Sequence, residues 1–234
     1  MKKIKFLALI IVFITGCSEK FYFDIPTAES HELKGEISSY IEKRYPAQLI
    51  NDSIIVQTDN SGKIEIHKFF NLDNELVKSI YYDGNGKFNS MQKVLTNELN
   101  KYIGTEAYDS NNTLISKGEI ISSTDSTLVI KTINYKDNST SISEMSYYKD
   151  RLSKTIKSQL NDSIFAYWKY FRDSDGLLVK TQLVNQFGSM QNTSFLENKY
   201  IEFDKQGNWI KRMDYKENEI EVYVYERIIE YRIK

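Results

Sequence analysis

The sequence predicts an all-β protein, an antiparallel up-and-down meander of roughly fifteen short strands curled as an open half-barrel or spiral sheet. Three observations carry this expectation. Polar clusters rich in Asp, Asn, Ser and Gly recur from Asp59-Asn60-Ser61-Gly62 to Lys216-Glu217-Asn218. Their steps run between about 11 and 14 residues, the spacing of strand-turn units, with one longer step from Phe187 to Gln206. The runs between them, such as "STLVIKTINY" and "SIFAYWKYF", are rich in residues that suit a pleated, half-buried surface. The composition agrees: 17 Tyr and 12 Phe stand against 2 Pro and 10 Gly in 234 residues.

The first segment lies outside the fold. Met1 to Lys5 is basic, Phe6 to Ile14 is an apolar run too short to span a bilayer, and Ile14-Thr15-Gly16-Cys17 follows. This order resembles a bacterial lipoprotein signal, with residues 1–16 removed and Cys17 acylated by chains such as palmitate. Cleavage removes three Lys and no acid, so 28 Lys and Arg remain against 32 Asp and Glu, a net charge of −4. Cys17 is the one cysteine, so a lipid-linked Cys17 leaves no thiol for a disulfide, a metal or a nucleophile. The membrane, reached through acyl chains, is the first expected partner. Ser18, rather than the Asp that retains enterobacterial lipoproteins in the inner membrane, favours the outer membrane.

Residues 17–32 read as the lipidated cysteine and its tether, and 33–234 as a single repeat-built β domain. Leu33 to Tyr45 fits a helical face or a strand face. Gly35, which costs a helix about 1 kcal/mol, favours the strand, and Pro46 is expected to end it. In "EFDKQGNWIKR" Asp204 to Gly207 reads as a hairpin turn, with Gly207 at positive φ and Trp209 opening the next strand as a packing residue. In "SIFAYWKYF", Ile164, Ala166, Trp168 and Tyr170 share one face, and Phe165, Tyr167, Lys169 and Phe171 the other. Both faces are apolar, which fits a strand covered on both sides or one with a face free for binding. Tyr167, Trp168, Tyr170, Phe171 and Trp209 are therefore the candidate ligand-binding residues.

Aromatic residues precede several turns, as in Tyr82-Asp83, Tyr108-Asp109 and Phe203-Asp204. This resembles the tyrosine-aspartate (YD) repeat of the RHS class. More closely, the chain resembles small Bacteroidota lipoproteins with degenerate repeats of that kind, through "LKGEISSYIEKRY" at the start, "GNWIKR" and the closing "ERIIEY". The resemblance spans Leu33 to Tyr231. It implies a β-hairpin fold and an envelope location, and it assigns no reaction.

Charge and motif content exclude several classes. With 31 basic and 32 acidic residues there is no basic stripe for nucleic acid. The two histidines, His31 and His67, lack the spacing of a metal site, and no cofactor motif is present. "YYDGNGK" reads as a turn between strands. Most Asp sit in turns, and the Glu lie along strands beside Lys as solvated faces or cross-strand ion pairs. A transmembrane barrel is disfavoured because "RLSKTIKSQL" puts Arg151 and Lys157 on one face and Lys154 on the other. The expected function is noncatalytic binding of a protein or glycan at the envelope. The alternatives are a carrier for an apolar ligand in the curl of the sheet and an immunity-type protein against a toxin.

Overall fold

The computed structural model describes residues 26–51, 53–57, 60, 62–148, 153–160, 164–216 and 221–233. Cys17 and Arg151 lie outside them. A short 3-10 turn, Glu29–His31, precedes fifteen strands among the described residues. In chain order these are β1 (Ile37–Ile50), β2 (Ser53–Val56), β3 (Ile64–Phe70), β4 (Leu76–Tyr82), β5 (Phe88–Thr96), β6 (Tyr102–Asp109), β7 (Leu114–Ser123) and β8 (Thr127–Asn134). The rest are β9 (Ser139–Tyr147), β10 (Ser153–Leu160), β11 (Ile164–Arg172), β12 (Leu178–Phe187), β13 (Met190–Phe203), β14 (Trp209–Tyr215) and β15 (Glu221–Tyr231). Each strand from β3 onward pairs antiparallel with the next, as the spacing of turns predicts. The 14-residue β13 accounts for the one long step between turns.

The expected open half-barrel or spiral is corrected in one respect: the sheet closes. β1 pairs with β15 from Ile37↔Tyr231 to Gln48↔Glu221, and with β3 on its other edge. Closure removes two long exposed edges, which an open sheet of this length would leave to pair with other chains. β2 stands outside the closed ring and extends the far end of β1 through Ala47↔Val56 to Ile50↔Ser53.

Pro46 does not end β1. The Pro46 carbonyl accepts from Gln57 N at 2.9 Å, so that edge of the residue faces the gap between β3 and β2. A missing N–H is tolerated there, because the β3 ladder stops at Arg44 and the β2 ladder begins at Ala47. Leu33 to Glu36 lies before β1, with Gly35 at φ 94°.

One turn chemistry recurs around the barrel. At Asn71, Asp83, Asn97, Asp109, Asp173 and Asp204, the side-chain oxygen accepts from the backbone N–H groups two and four residues on, at 2.9–3.0 Å. The residue three places on takes positive φ in every case: Asn74, Gly86, Asn100, Asn112, Gly176 and Gly207. Asn replaces Gly at half of these positions because its side chain tolerates the left-handed region. Gly207, at φ 78°, behaves as the sequence predicts.

Alternation divides the wall into two faces. Outward side chains carry a belt of ion pairs at mid-height, including Lys43–Glu65 (3.2 Å), Lys157–Glu144 (3.5 Å), Lys180–Glu197 (3.3 Å) and Lys211–Glu226 (3.0 Å). The same face also exposes Ile142, Phe195 and Ile228. Inward side chains change along the barrel. At the end where β1 starts and β15 finishes, two apolar clusters fill the interior. One holds Ala28, Leu33, Ile37, Tyr40 and Phe70, the other Tyr102 and Leu128 backed by Ile120, Ile130 and Met145. Toward the other end the inward positions mix small polar side chains, Ser90, Ser116, Thr132, Ser141, Ser158 and Ser194, with larger ones, Tyr81, Leu160, Ile164, Phe187 and Met190, none of them fully buried.

Candidate functional site

The packed end owes its seal to Pro26–Glu36. Residues 26–32, expected to be tether, are instead part of the domain. Thr27 forms a bridge with Glu75, Ala28 N donates to the Asn74 carbonyl at 2.8 Å, and Leu76 N donates to the Pro26 carbonyl at 2.7 Å. Two turn residues clamp the incoming chain. The Asn74 side chain accepts from Ile37 N (3.0 Å) and donates to the Gly35 carbonyl (3.1 Å). The fully buried Asn208 accepts from Lys34 N (2.6 Å) and donates to the Lys34 carbonyl (3.0 Å) and to the Tyr231 hydroxyl (2.6 Å).

Glu32, held at φ 63°, reaches across this end. It accepts from Trp209 Nε1 at 3.0 Å and pairs with Arg172 of β11. Arg227 lies 3.5 Å from the Trp209 ring centroid and donates to the His31 carbonyl at 3.3 Å. Burial, with Lys68 and Arg227 nearby, holds the His31 imidazole well below its ordinary pKa, so it is neutral here. Burial likewise draws Lys68 down to about 8, against the opposing pull of Glu42.

Beyond this plug, the wall made by β1, β3, β14 and β15 carries charge inward. Arg227 Nε donates to Glu42 at 2.8 Å. Arg212 grips Asp214 with Nε at 2.8 Å from Oδ1 and Nη2 donating to Oδ2 at 3.1 Å, and Asn198 donates to the same carboxylate at 2.6 Å. Burial alone would raise the Glu42 carboxyl, but Arg227, Arg212 and Lys68 outweigh it and hold it below the usual range. At Asp214 burial wins over Arg212 and the carboxyl is pushed up.

A cavity of about 200 Å³ opens on this wall, lined by Glu42, Arg44, Ile64, Ile66 and Tyr225. Tyr225, with its pKa raised by burial to about 12, presents a neutral hydroxyl. Among the described residues Arg44 has no carboxylate partner. Its Nη2 makes one long bond to the Gly62 carbonyl (3.4 Å), its guanidinium lies 4.9 Å from the Tyr223 ring centroid, and its buried Nε has no partner.

The candidate residues read from sequence do not converge. Trp168 and Tyr170 face the lumen, opposite Leu183 and Thr181 of β12. Tyr167 and Phe171 face outward, opposite Val184 and Lys180. The alternation predicted for this strand therefore holds, and every residue of it is half-buried. Trp209 opens β14 and is fully buried, its indole against Arg227 and Tyr200, so it serves packing. His67 Nε2 donates to the outward Glu65 carboxylate at 2.5 Å on β3. Among the described residues, no three His, Cys, Asp or Glu side chains gather as a metal site.

Sequence reasoning missed the inward charges. Reading Glu beside Lys as a solvated face is correct for Glu65, Glu144, Glu197 and Glu226. It misses Glu42 and Glu32, whose partners are arginines 185 and 140 residues away. A signal was present: Tyr40, Glu42 and Arg44 share one face of a strand whose other face carries Ile41, Lys43 and Tyr45. A soluble sheet with one polar face shows charge on one side only.

No protein-family model matches the chain, and no curated protein matches it in sequence. Among solved structures, a porin-like protein from Bacteroides uniformis ATCC 8492 is similar over 90% of this chain and 100% of its own, at 9% identity and a TM-score of 0.48. A DUF1329 family protein from Desulfovibrio piger ATCC 29098 is similar over 88% of this chain and 90% of its own, at 10% identity and a TM-score of 0.26. At these scores neither neighbour informs the function, which rests on the geometry of the barrel itself.

Proposed function

We propose that this protein is a lipid-anchored component of the bacterial envelope that binds a small polar molecule in its lumen without reacting with it. The supporting observation is the asymmetry of the interior. One end is plugged and packed, while the other is half-buried, lined by hydroxyl and amide side chains interleaved with apolar ones, and leads to the cavity at Arg44. Ligand pockets commonly sit in the mouths of β-barrels. The hydroxyl and amide groups of that lining, with the Arg44 guanidinium, favour a ligand that carries polar groups over the wholly apolar one of the carrier alternative. Paired charges in the lumen, Arg227 with Glu42 and Arg212 with Asp214, fix the wall and leave no nucleophile set against a base.

The basic start, the apolar run and Cys17 support export and acylation. Residues 18–25 separate Cys17 from Pro26, a reach of at most about 30 Å. An acylated chain then holds its plugged end toward the membrane and its open end away. The charged outer belt supports a barrel standing in water.

Two measurements test the reading. Metabolic labelling with a fatty-acid probe is expected to mark the native chain and not Cys17→Ala, and equal labelling contradicts the anchor. Native mass spectrometry of the purified lipoprotein is expected to show a retained small molecule. That molecule is lost when Ser158→Trp fills the lumen and kept when Gln159→Trp alters the outer face. Retention by both variants, or by neither and not by the native protein, contradicts lumenal binding.

A further inference from the structure

We infer that the lumenal cavity at Arg44 is a receptor for a small monocarboxylate, the acid group held by the Arg44 guanidinium and the apolar body lying against Ile64 and Ile66. This rests on the lumenal-binding reading above and names the chemical class of its ligand.

The first argument is charge. Between the plug and the rim, the inward wall carries Arg44, Lys68, Arg212 and Arg227 against Glu42 and Asp214. Both carboxylates are already committed, Glu42 to Arg227 and Asp214 to Arg212. Lys68 sits on the plug side, 3.3 Å from His31 and over the Tyr40 ring, and burial has lowered its affinity for a proton. Among the described residues Arg44 is left as a permanently charged cation without a counter-ion, and it is one of the groups lining the cavity.

The second argument is the unmade hydrogen bonding. A guanidinium offers five N–H donors in a planar fork. Here Nη2 has one long bond to Gly62 and Nε is buried with no acceptor. Leaving a buried charged donor unsatisfied is costly, and a carboxylate is the acceptor whose two oxygens match the fork. Tyr225 adds a neutral hydroxyl, a donor for an acid oxygen.

The third argument sets the size and charge of the ligand. The cavity, at about 200 Å³, is below the ~300–1,000 Å³ that hold drug-sized ligands, so the occupant is small. Glu42 also lines it and stays ionised, held so by Arg227, Arg212 and Lys68. A second negative charge on the ligand would meet that carboxylate, which disfavours a dianion such as phosphate. Ile64 and Ile66, the cross-strand neighbours of Arg44 and Glu42, supply an apolar wall that a bare inorganic anion does not use.

The test uses the whole lipoprotein in detergent micelles and three probes: 4-fluorobenzoate, its neutral isostere 4-fluorobenzamide, and inorganic phosphate. Fluorine NMR linewidths report binding. The acid is expected to broaden with the native protein, and to bind about tenfold or more weakly to Arg44→Gln, as does the amide to the native protein. Arg44→Lys is expected to fall between them, because it keeps charge without the fork. Matched melting curves exclude unfolding of the variants. Equal binding of acid and amide, or of native protein and Arg44→Gln, overturns the proposal. Displacement of the acid by phosphate at lower concentration than by unlabelled benzoate overturns the monocarboxylate assignment. No binding of the acid at all, while small thiol reagents still enter the lumen at Ser141→Cys, overturns the carboxylate site and leaves the lumenal reading standing.

Discussion

The two ends of the barrel are built from the same hairpin turn and put to opposite uses. At the plugged end, Asn74 occupies the positive-φ position of its turn and Asn208 follows immediately after another, and both side chains clamp the residues leading into β1. At the open end, the turn at Asp83 has the same internal bonds, yet its Gly86 has no heavy atom in reach of an added Cβ. Turn geometry is thus local and repeated, while the seal comes from which side chain a turn carries and what chain it meets. The same contrast runs through the lumen, apolar and filled at one end, mixed polar and apolar and half-buried at the other.

The largest break in this comparison is expected from Trp209→Ala. The indole is fully buried, bonded to Glu32 and stacked under Arg227, so truncation is expected to cost about 3–5 kcal/mol in denaturant melts. Trp168→Ala, on the half-buried lumenal face of β11, is expected to cost distinctly less. Equal losses would mean that the lumen beside Trp168 is packed like the plug.

The plugged end is also where pH acts. Folding lowers Lys68 from 10.5 to about 8, so between those values the unfolded chain binds more protons than the folded one. Lys68 therefore contributes a rise in stability as pH climbs from about 8 to about 9, above which the buried tyrosines, raised from their ordinary 10, begin to oppose it; below 8 the Lys68 penalty is complete. After discounting for the partly exposed side chain, the effect is on the order of 2 kcal/mol. Lys68→Met is expected to abolish that slope in urea melts run across this window. His31, lowered by burial, adds a loss of stability as pH falls below its ordinary value.

A smaller effect sharpens the claim about turns. Gly207 is at φ 78° and Gly86 at φ 75°, and the nearest atom to an added Cβ at Gly207 is Lys34 Nζ at 3.8 Å. Gly207→Val and Gly86→Val are each expected to cost about 1–3 kcal/mol, from backbone strain alone. Gln206→Ala is expected to stay within about 0.5 kcal/mol. A much larger loss at Gly207 in thermal melts would mean that the plug, and not the turn, sets the cost.

What was legible in the sequence follows the same division. The strands and their turns could be read because an Asp or Asn bonding its own backbone two and four residues on is a local event. The alternation of β11 was legible for the same reason. Closure was not, because Ile37↔Tyr231 joins the two ends of the chain and neither segment carries a local mark of its partner. Residues 26–32 read as tether because a short polar stretch gains its burial only from walls contributed by β1, β3, β14 and β15. Arg44 was missed because a strand face carrying Tyr40, Glu42 and Arg44 looks solvated until the sheet is rolled and that face turns inward.

The central claim is a lumen sealed at one end and open at the other, and β9 offers a direct test. Ser141 and Met145 share its inward face, four residues apart, Ser141 toward the open end and Met145 within the apolar cluster at the packed end. Cys17 is the one native cysteine, so the unsubstituted protein supplies the background. Single variants Ser141→Cys and Met145→Cys are treated with a small methanethiosulfonate reagent, and the modification rates are compared. The account predicts that Ser141→Cys reacts at least about tenfold faster, because reaching Met145 requires the packed end to open locally. Equal rates at the two positions would contradict it.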